Sequence, residues 1–492
     1  MALAQQITRQ IMRKLLTFIF AFLSSWAIAA PFECEGIYYE VTSSSTVSVA
    51  KAYSVSDWYT YYKGEVTVPS QVTYNGKQYT VTVVGSQAFR GQRKLTKVTL
   101  PNTITEVCYQ AFRGCPGLNE VILPNTVKMI GKEAFAACED LTSININAEE
   151  IDAEAFNGCI GLKTVTWGTN LKKIGRKAFQ NCYSLVNIDF PQTLEEIDDL
   201  AFWECKNLRS VVTYSSLERI GNGAFLQCSS LDDVTIGENT RELGYEAFRW
   251  CLNLKDIVIP NSVEEMGYGT FRYCTALKNV TLSENIEEIP SWAFEQTAVE
   301  EITIPAKVKT VGTFAFIECK NLKKITWSEG LENIYQDAFS STAITELKLP
   351  LSVTQISVNA FANCKELKRV DIPENVIKIS DNAFSKCSQL KDAYVHGTIP
   401  PVIPYNVGIF RGCAAPVNVH VKSGLKEIYE TSLGWAYNVD NHQTVILDDL
   451  NETVTSIYKI SNNDDDEEVV MRVTGKVYIV KKNGKNYKKI LK

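Results

Sequence analysis

The 492-residue chain is predicted to fold as a β-dominated solenoid of the α/β type, about 15 coils of 22–23 residues between β-rich caps. Three observations predict it. The pair Ala-Phe, or a close variant, recurs with Phe at 89, 112, 135, 156, 179, 202, 225, 248, 271, 294, 316, 339, 361, 384 and 410. The segment before each mark alternates apolar and polar residues, as a half-buried strand requires. Of the chain's 14 cysteines, 12 follow a repeat Phe by three residues.

The marks are separated by 23, 23 and 21 residues, then six times by 23, then by 22, 23, 22, 23 and 26. A period held this closely is the signature of stacked units, each too small to bury its own apolar side. One copy runs Ala111-Phe112-Arg113-Gly114-Cys115-Pro116-Gly117-Leu118, then Val121-Ile122-Leu123-Pro124, Val127, Ile130-Gly131 and Ala134-Phe135. Leu-x-x-Val-x-Leu reads as a strand. The following proline has no N–H for a ladder and ends the pairing. The Val-x-x-Ile stretch then turns the chain toward the next coil. With strands about 4.8 Å apart, such a stack is roughly 65–70 Å long.

At the N-terminus, Arg13 and Lys14 precede the apolar run 15–23, and Ala27-Ile28-Ala29 supplies small residues for a processing enzyme. Residues 1–30 are therefore expected to be an export signal, with Met12 an equally good start. The run is short for a membrane span, and no other segment approaches about 18 apolar residues. No lipidation box precedes Cys34. Hydrophobic residues make up 45% and charged residues 22%, as a folded core needs. A net charge of −6 does not favour nucleic acid as a partner.

The unit Leu-x-x-Val-x-Leu-Pro-x-x-Val-x-x-Ile-Gly-x-x-Ala-Phe-x-x-Cys resembles the BspA-type, or Treponema-type, leucine-rich repeat over about residues 80–415. The resemblance implies an α/β-type leucine-rich repeat solenoid. It also implies a surface or secreted protein of a kind found in Bacteroidetes, spirochaetes and some protozoan parasites, with adhesion as the role. Residues 31–80 are similar to the N-terminal β cap of such proteins, through Gly36-Ile37-Tyr38-Tyr39, Val66-Thr67-Val68-Pro69 and Tyr79-Thr80-Val81. Pro400-Pro401, Val419-His420-Val421 and Trp435 are similar to their C-terminal cap. The expected organisation is a signal over 1–30, the N-terminal cap over 31–80, the solenoid over 81–415 and the C-terminal cap over 416–447. An acidic linker over 448–468 and a basic tail over 469–492 complete it.

The periodic cysteines are Cys115, Cys138, Cys159, Cys182, Cys205, Cys228, Cys251, Cys274, Cys319, Cys364, Cys387 and Cys413. An even count in an exported chain suggests disulfides. Stacked coils instead hold equivalent side chains parallel at about 4.8 Å, while a bridge needs Cβ atoms at about 3.8 Å and facing. Thr297 and Thr342 take the same slot in two coils, which suits a small weak donor. A buried, reduced ladder is expected, with a few rung-to-rung bridges as the rival. Cys34 and Cys108 lie outside the column. No Cys-x-x-Cys occurs, so no zinc site is read.

No cofactor, metal or catalytic motif is found. His396, His420 and His442 have no nucleophile at a motif spacing, and they read as ordinary cap or surface residues. The outward strand position in successive coils is Thr99, Ile122, Asn145, Thr166, Asp189, Val212, Thr235, Val258, Thr281, Thr303, Thr326, Lys348 and Asp371. Six of these thirteen are Thr, which suits any exposed pleated surface. The same strip would also serve as a flat binding face. Its candidate residues are Thr99, Thr166, Asp189, Thr235, Thr281, Thr303, Thr326, Lys348 and Asp371. Tyr183, Trp203, Trp250 and Tyr273 fall on turns, as candidates for an aromatic patch, while Trp167 and Trp327 take apolar strand slots.

In the tail, 461–468 is polar and acidic, whereas 469–492 carries eight Lys or Arg and no acid. Gly475-Lys476-Val477-Tyr478-Ile479-Val480 and Asn483-Gly484-Lys485 read as a hairpin with an Asn-Gly turn. The segment also resembles the sorting domain that carries Bacteroidetes proteins through the type IX system, although its closing residues depart from that pattern. The expected function is a non-enzymatic surface adhesin or interaction scaffold. It would be monomeric in its mature form and would bind an extracellular protein or glycan. A carbohydrate-active or peptidase site in a cap and an inert surface-layer spacer are the alternatives.

Overall fold

The computed structural model describes residues 30–52, 58–404, 408–414, 416–432, 434–440 and 444–450. It also describes the strands between 456 and 491. The export signal, the Asn-Gly turn and His442 lie outside the described residues.

Each coil carries two strands, where the periodicity predicts one. The predicted strand is present: Lys94–Thr99, Glu120–Ile122, Ser143–Ile146 and their successors stack in parallel to Asp392–Val395. We call it the long-strand ladder. A second, two-residue strand follows in every repeat, from Glu106–Val107 to Lys378–Ile379. In this short-strand ladder one residue points outward and the next, such as Val107 or Ile130, is fully buried. Two residues are too few to show alternation, so the sequence reads only as a turn there. The helical half that the α/β label implies is reduced to turns within the repeats.

The third side of each coil is the Ala-Phe turn. Two residues in the left-handed region flank each repeat Phe from Phe89 to Phe384, two before and two after it, as Glu246 (φ +54°) and Trp250 (φ +61°) flank Phe248. Gly91, Gly114, Gly158 and Gly412 take the second position without strain. Other coils place Glu, Trp or Tyr there at a cost of about 1–2 kcal/mol each. The stacked rings offset that cost. From Phe89 to Phe410 neighbouring centroids are 4.9–5.9 Å apart, and all pairs but the last are within 11° of parallel. Every ring is buried, worth a few kcal/mol each at about 25 cal/mol per Å². The backbone is stapled as well: Phe112 N–H donates to Ala134 O at 2.7 Å, and the bond repeats along the stack.

The ends of this column are closed. At the start, Phe32–Cys34, Ile37–Val41 and Thr46–Val49 form an antiparallel meander that joins Lys77–Val84 and passes into the short-strand ladder. At the far end, Val417–Lys422 and Thr444–Leu450 extend the long-strand ladder. Between them run two short helices, Lys426–Thr431 and Trp435–Asp440, so this cap is not purely β. Tyr429 and Trp435 plug the core edge-to-face at 5.2 Å. Their polar tips are satisfied by Gly397 O at 2.7 Å and Pro401 O at 2.9 Å, as burial requires.

The tail differs from its sequence reading. Ser456–Ser461, Glu467–Val473, Lys476–Lys482 and Lys485–Leu491 form one four-stranded antiparallel sheet. The stretch expected as a linker over 448–468 therefore holds strand residues at both ends. The hairpin expected over 469–492 is one half of that sheet.

Candidate interaction surface

The long-strand ladder turns one side chain per coil outward, in register. Thr99 pairs with Ile122, Asn145 with Thr166, and Asp189 with Val212 and then Thr235. Val258 pairs with Thr281, Thr303 with Thr326, and Lys348 with Asp371. Thr166, Asp189, Thr235, Thr281, Thr303, Thr326 and Lys348 are exposed, and Thr99 and Asp371 are half-buried. Ile122 (43% exposed) and Val258 (63%) stand bare in the same column. Trp167 and Trp327 lean into the core, edge-on to Phe179 and Phe339 at 5.7 and 5.6 Å.

Two candidate carboxylates are already engaged. Asp189 accepts a hydrogen bond from Tyr214 Oη at 2.8 Å. Asp371 accepts both arms of Arg369 at 2.9 Å and lies 3.6 Å from His396 Nε2.

Beyond Asp371 the column continues through Tyr394 and His420. The outward column expected from the sequence ends at Asp371, short of both. Arg369 lies over the Tyr394 ring at 3.9 Å, and Tyr394 stacks on His420 at 4.3 Å. His420 Nδ1 is 2.9 Å from Asp449 and Nε2 is 3.2 Å from Asp392. Asn418 donates to Asp392 at 3.1 Å, which with His420 holds that carboxyl below its ordinary range. Beside this cluster a hollow of about 340 Å³ is lined by Lys348, Leu351, Asp371, Glu374 and His396 among others. The two histidines read as ordinary from sequence thus join the strand face. Extending the column across the last, 26-residue step would have found His420. Both of its ring nitrogens face carboxylates, so the ring bridges two acids rather than standing as a base aimed at a nucleophile. Among the described residues no group of three His, Cys, Asp or Glu is placed to hold a metal ion.

The aromatic turn candidates are half-buried and occupied. Lys206 lies over Tyr183 at 5.0 Å, Lys177 over Trp203 at 5.6 Å and Arg249 over Trp250 at 3.9 Å. Tyr273 stacks on Trp250 at 5.6 Å.

The cysteine column lies behind the Phe stack. Cys115 through Cys387 are buried, Cys413 is half-buried, and all fourteen thiols are free. Each column thiol donates to the carbonyl of the Phe one coil earlier, from 2.9 Å at Cys115 to 3.5 Å at Cys413. Thr297 and Thr342 instead donate to the Phe carbonyl of their own turn at 2.9 Å, and sit 3.3 Å from Cys319 and Cys364. Burial pushes the Cys159 and Cys319 thiols up to about 12.

Fold and surface together define a repeat protein of parallel stacked coils, with one long open strand face. Its repeats match the BspA type leucine-rich repeat region in overlapping segments from 71–149 to 287–407, well over half the chain. The chain belongs to that family. A leucine-rich repeat protein from Bacteroides ovatus ATCC 8483 is 25% identical with a TM-score of 0.54, covering 85% of this chain and 99% of its own. A leucine-rich cell surface protein from Faecalibacterium prausnitzii A2-165 is 23% identical with a TM-score of 0.39, covering 80% and 95%. A Treponema pallidum leucine-rich repeat protein is 24% identical with a TM-score of 0.34, covering 45% and 90%. No curated protein matches the chain.

Proposed function

We propose that the chain is exported to the cell surface and serves there as an adhesin, binding an extracellular protein or glycan along the long-strand face. Family membership supports an interaction scaffold. One observation carries the choice of face: seven of the nine candidate side chains are exposed, in column, across strands that pair in register. Such a strip meets a partner at many weak points whose effects multiply through avidity. Among the described residues no helix is long and apolar enough to cross a membrane. Export rests on the signal-like residues 1–30, and the basic tail is proposed as the sorting element that delivers the chain. The test is an array of extracellular-matrix proteins and polysaccharides probed with the mature chain. Saturable binding is expected, and a uniformly blank array overturns the reading.

A further inference from the structure

A second surface arises from one interrupted repeat. In most coils the residue after the short strand donates its N–H one coil back: Gly244 to Ile220 O at 2.8 Å, Gly267 to Leu243 O at 2.7 Å, Gly312 to Ile289 O at 2.8 Å. Pro290 holds that position in its own coil and has no N–H to give. The sheet accordingly stops at Glu265–Met266 and restarts at Glu288–Ile289. A groove of about 690 Å³ opens over this seam.

Charge is also patterned here. Upstream, the outward short-strand residues alternate in sign: Lys173 meets Glu196 at 2.9 Å, and Arg219 meets Glu196 at 3.3 Å and Glu242 at 3.2 Å. The alternation then fails. Glu265 pairs in register with Glu242, and Glu288 follows. Glu264 and Glu287 line the same groove, and the one cation in its lining, Lys307, donates to Asn285 Oδ1 at 2.7 Å. Glu264, Glu265, Glu287 and Glu288 are exposed, and none is ion-paired among the described residues. Like charges directly opposite on a sheet cost stability, as Glu242 and Glu265 are here.

At the rim stand Tyr245 and Tyr268, 54% and 44% exposed, their rings stacked at 4.8 Å. Tyr268 is backed edge-on by Trp292 at 6.1 Å. Exposed tyrosine faces beside carboxylates attract an organic cation through ring and charge together. With no three of the carboxylates converging as metal ligands, the complementary partner is a set of spaced cations rather than one ion.

We propose that this seam docks a basic, extended polypeptide segment, its Lys or Arg side chains lying along the four glutamates and against Tyr245 and Tyr268. The site is separate from the long-strand face, so either can fail without the other.

The test uses the mature chain and two fluorescent peptides, one alternating Arg with Gly and one with Gln in place of Arg. The Arg peptide is expected to bind, and to weaken more than tenfold from about 0.05 M to about 0.5 M salt. Glu265→Gln with Glu288→Gln should weaken it about tenfold, and Tyr245→Ser with Tyr268→Ser several-fold. Neither pair should lower the melting temperature, and relief of the Glu242–Glu265 repulsion should raise it slightly in the first. Binding lost without a lower melting temperature separates lost binding from lost fold. Glu300→Gln with Glu301→Gln, on the long-strand side, should change nothing. Equal binding of the Gln peptide, or an unchanged affinity in the Glu265→Gln and Glu288→Gln variant, overturns the proposal. So does an equal loss in the Glu300→Gln and Glu301→Gln control.

Discussion

The thiol of Cys205 lies 3.2 Å from the carbonyl oxygen of Phe179, one coil earlier in the stack. The same carbonyl accepts the Cys182 N–H at 3.2 Å, so each thiol ties the turn of one coil to the next. Cys205→Ala should cost about 1 kcal/mol through the lost donor. Cys205→Thr should cost less, since Thr297 and Thr342 already fill this slot. Cys205→Leu should cost about 1–3 kcal/mol by overpacking. Melting temperatures that do not fall in that order would show that the column is only a spacer.

The same burial gives the thiols a pH signature. Cys159 and Cys319 hold their protons to about 12 in the folded chain, against about 8.5 when unfolded. Their contribution to stability is therefore complete below about 8.5 and is lost as pH rises toward about 12. The melting temperature should fall steadily over that window under reducing conditions. At pH 8, iodoacetamide should spare the buried column and modify Cys34 first, which mass spectrometry of the native chain would read. Rapid modification of Cys159 or Cys205 would contradict the packing.

Phe225 stacks between Phe202 and Phe248, at 5.4 Å from each. Phe225→Ala should cost about 3–5 kcal/mol. In a solenoid each coil contacts only its neighbours, so the loss should be local. Hydrogen exchange should quicken in the coils that contain Phe202 and Phe248, and much less in the N-terminal cap.

The Asp392 carboxyl is held below its ordinary value first by Asn418 and then by His420. A depressed carboxyl adds stability above about pH 4, lost as pH falls through the folded value. Asn418→Ala should move the Asp392 titration, followed by carbon NMR, upward. His420→Gln should move it upward as well. No movement in either variant would mean that Asp392 is set by solvent alone.

Much of this was legible in the sequence. Phe and Cys recur in a phase that only stacked coils explain, and the outward Thr column follows from period-two alternation around it. The short strand was not legible, because two residues such as Glu242-Leu243 carry no alternation. Neither was the pair of left-handed residues flanking each Phe, where Glu and Trp stand as well as Gly. The Arg369–Tyr394–His420 stack joins residues from three coils, the last set off by the irregular 26-residue step. Tyr245 and Tyr268 occupy a repeat position that Lys132 and Asn222 fill elsewhere, so nothing marked it as aromatic. Pro290 carried a readable signal, the loss of an N–H, but only against a ladder the sequence had not revealed.

The long-strand face is tested most directly by blocking it. The ligand identified on the array would be titrated against the mature chain and against Thr235→Arg with Thr281→Arg, two exposed positions on separate paired segments. The account predicts that both proteins melt alike, while the variant binds at least tenfold more weakly. Equal affinity for the two proteins would contradict it and place recognition on another surface of the solenoid.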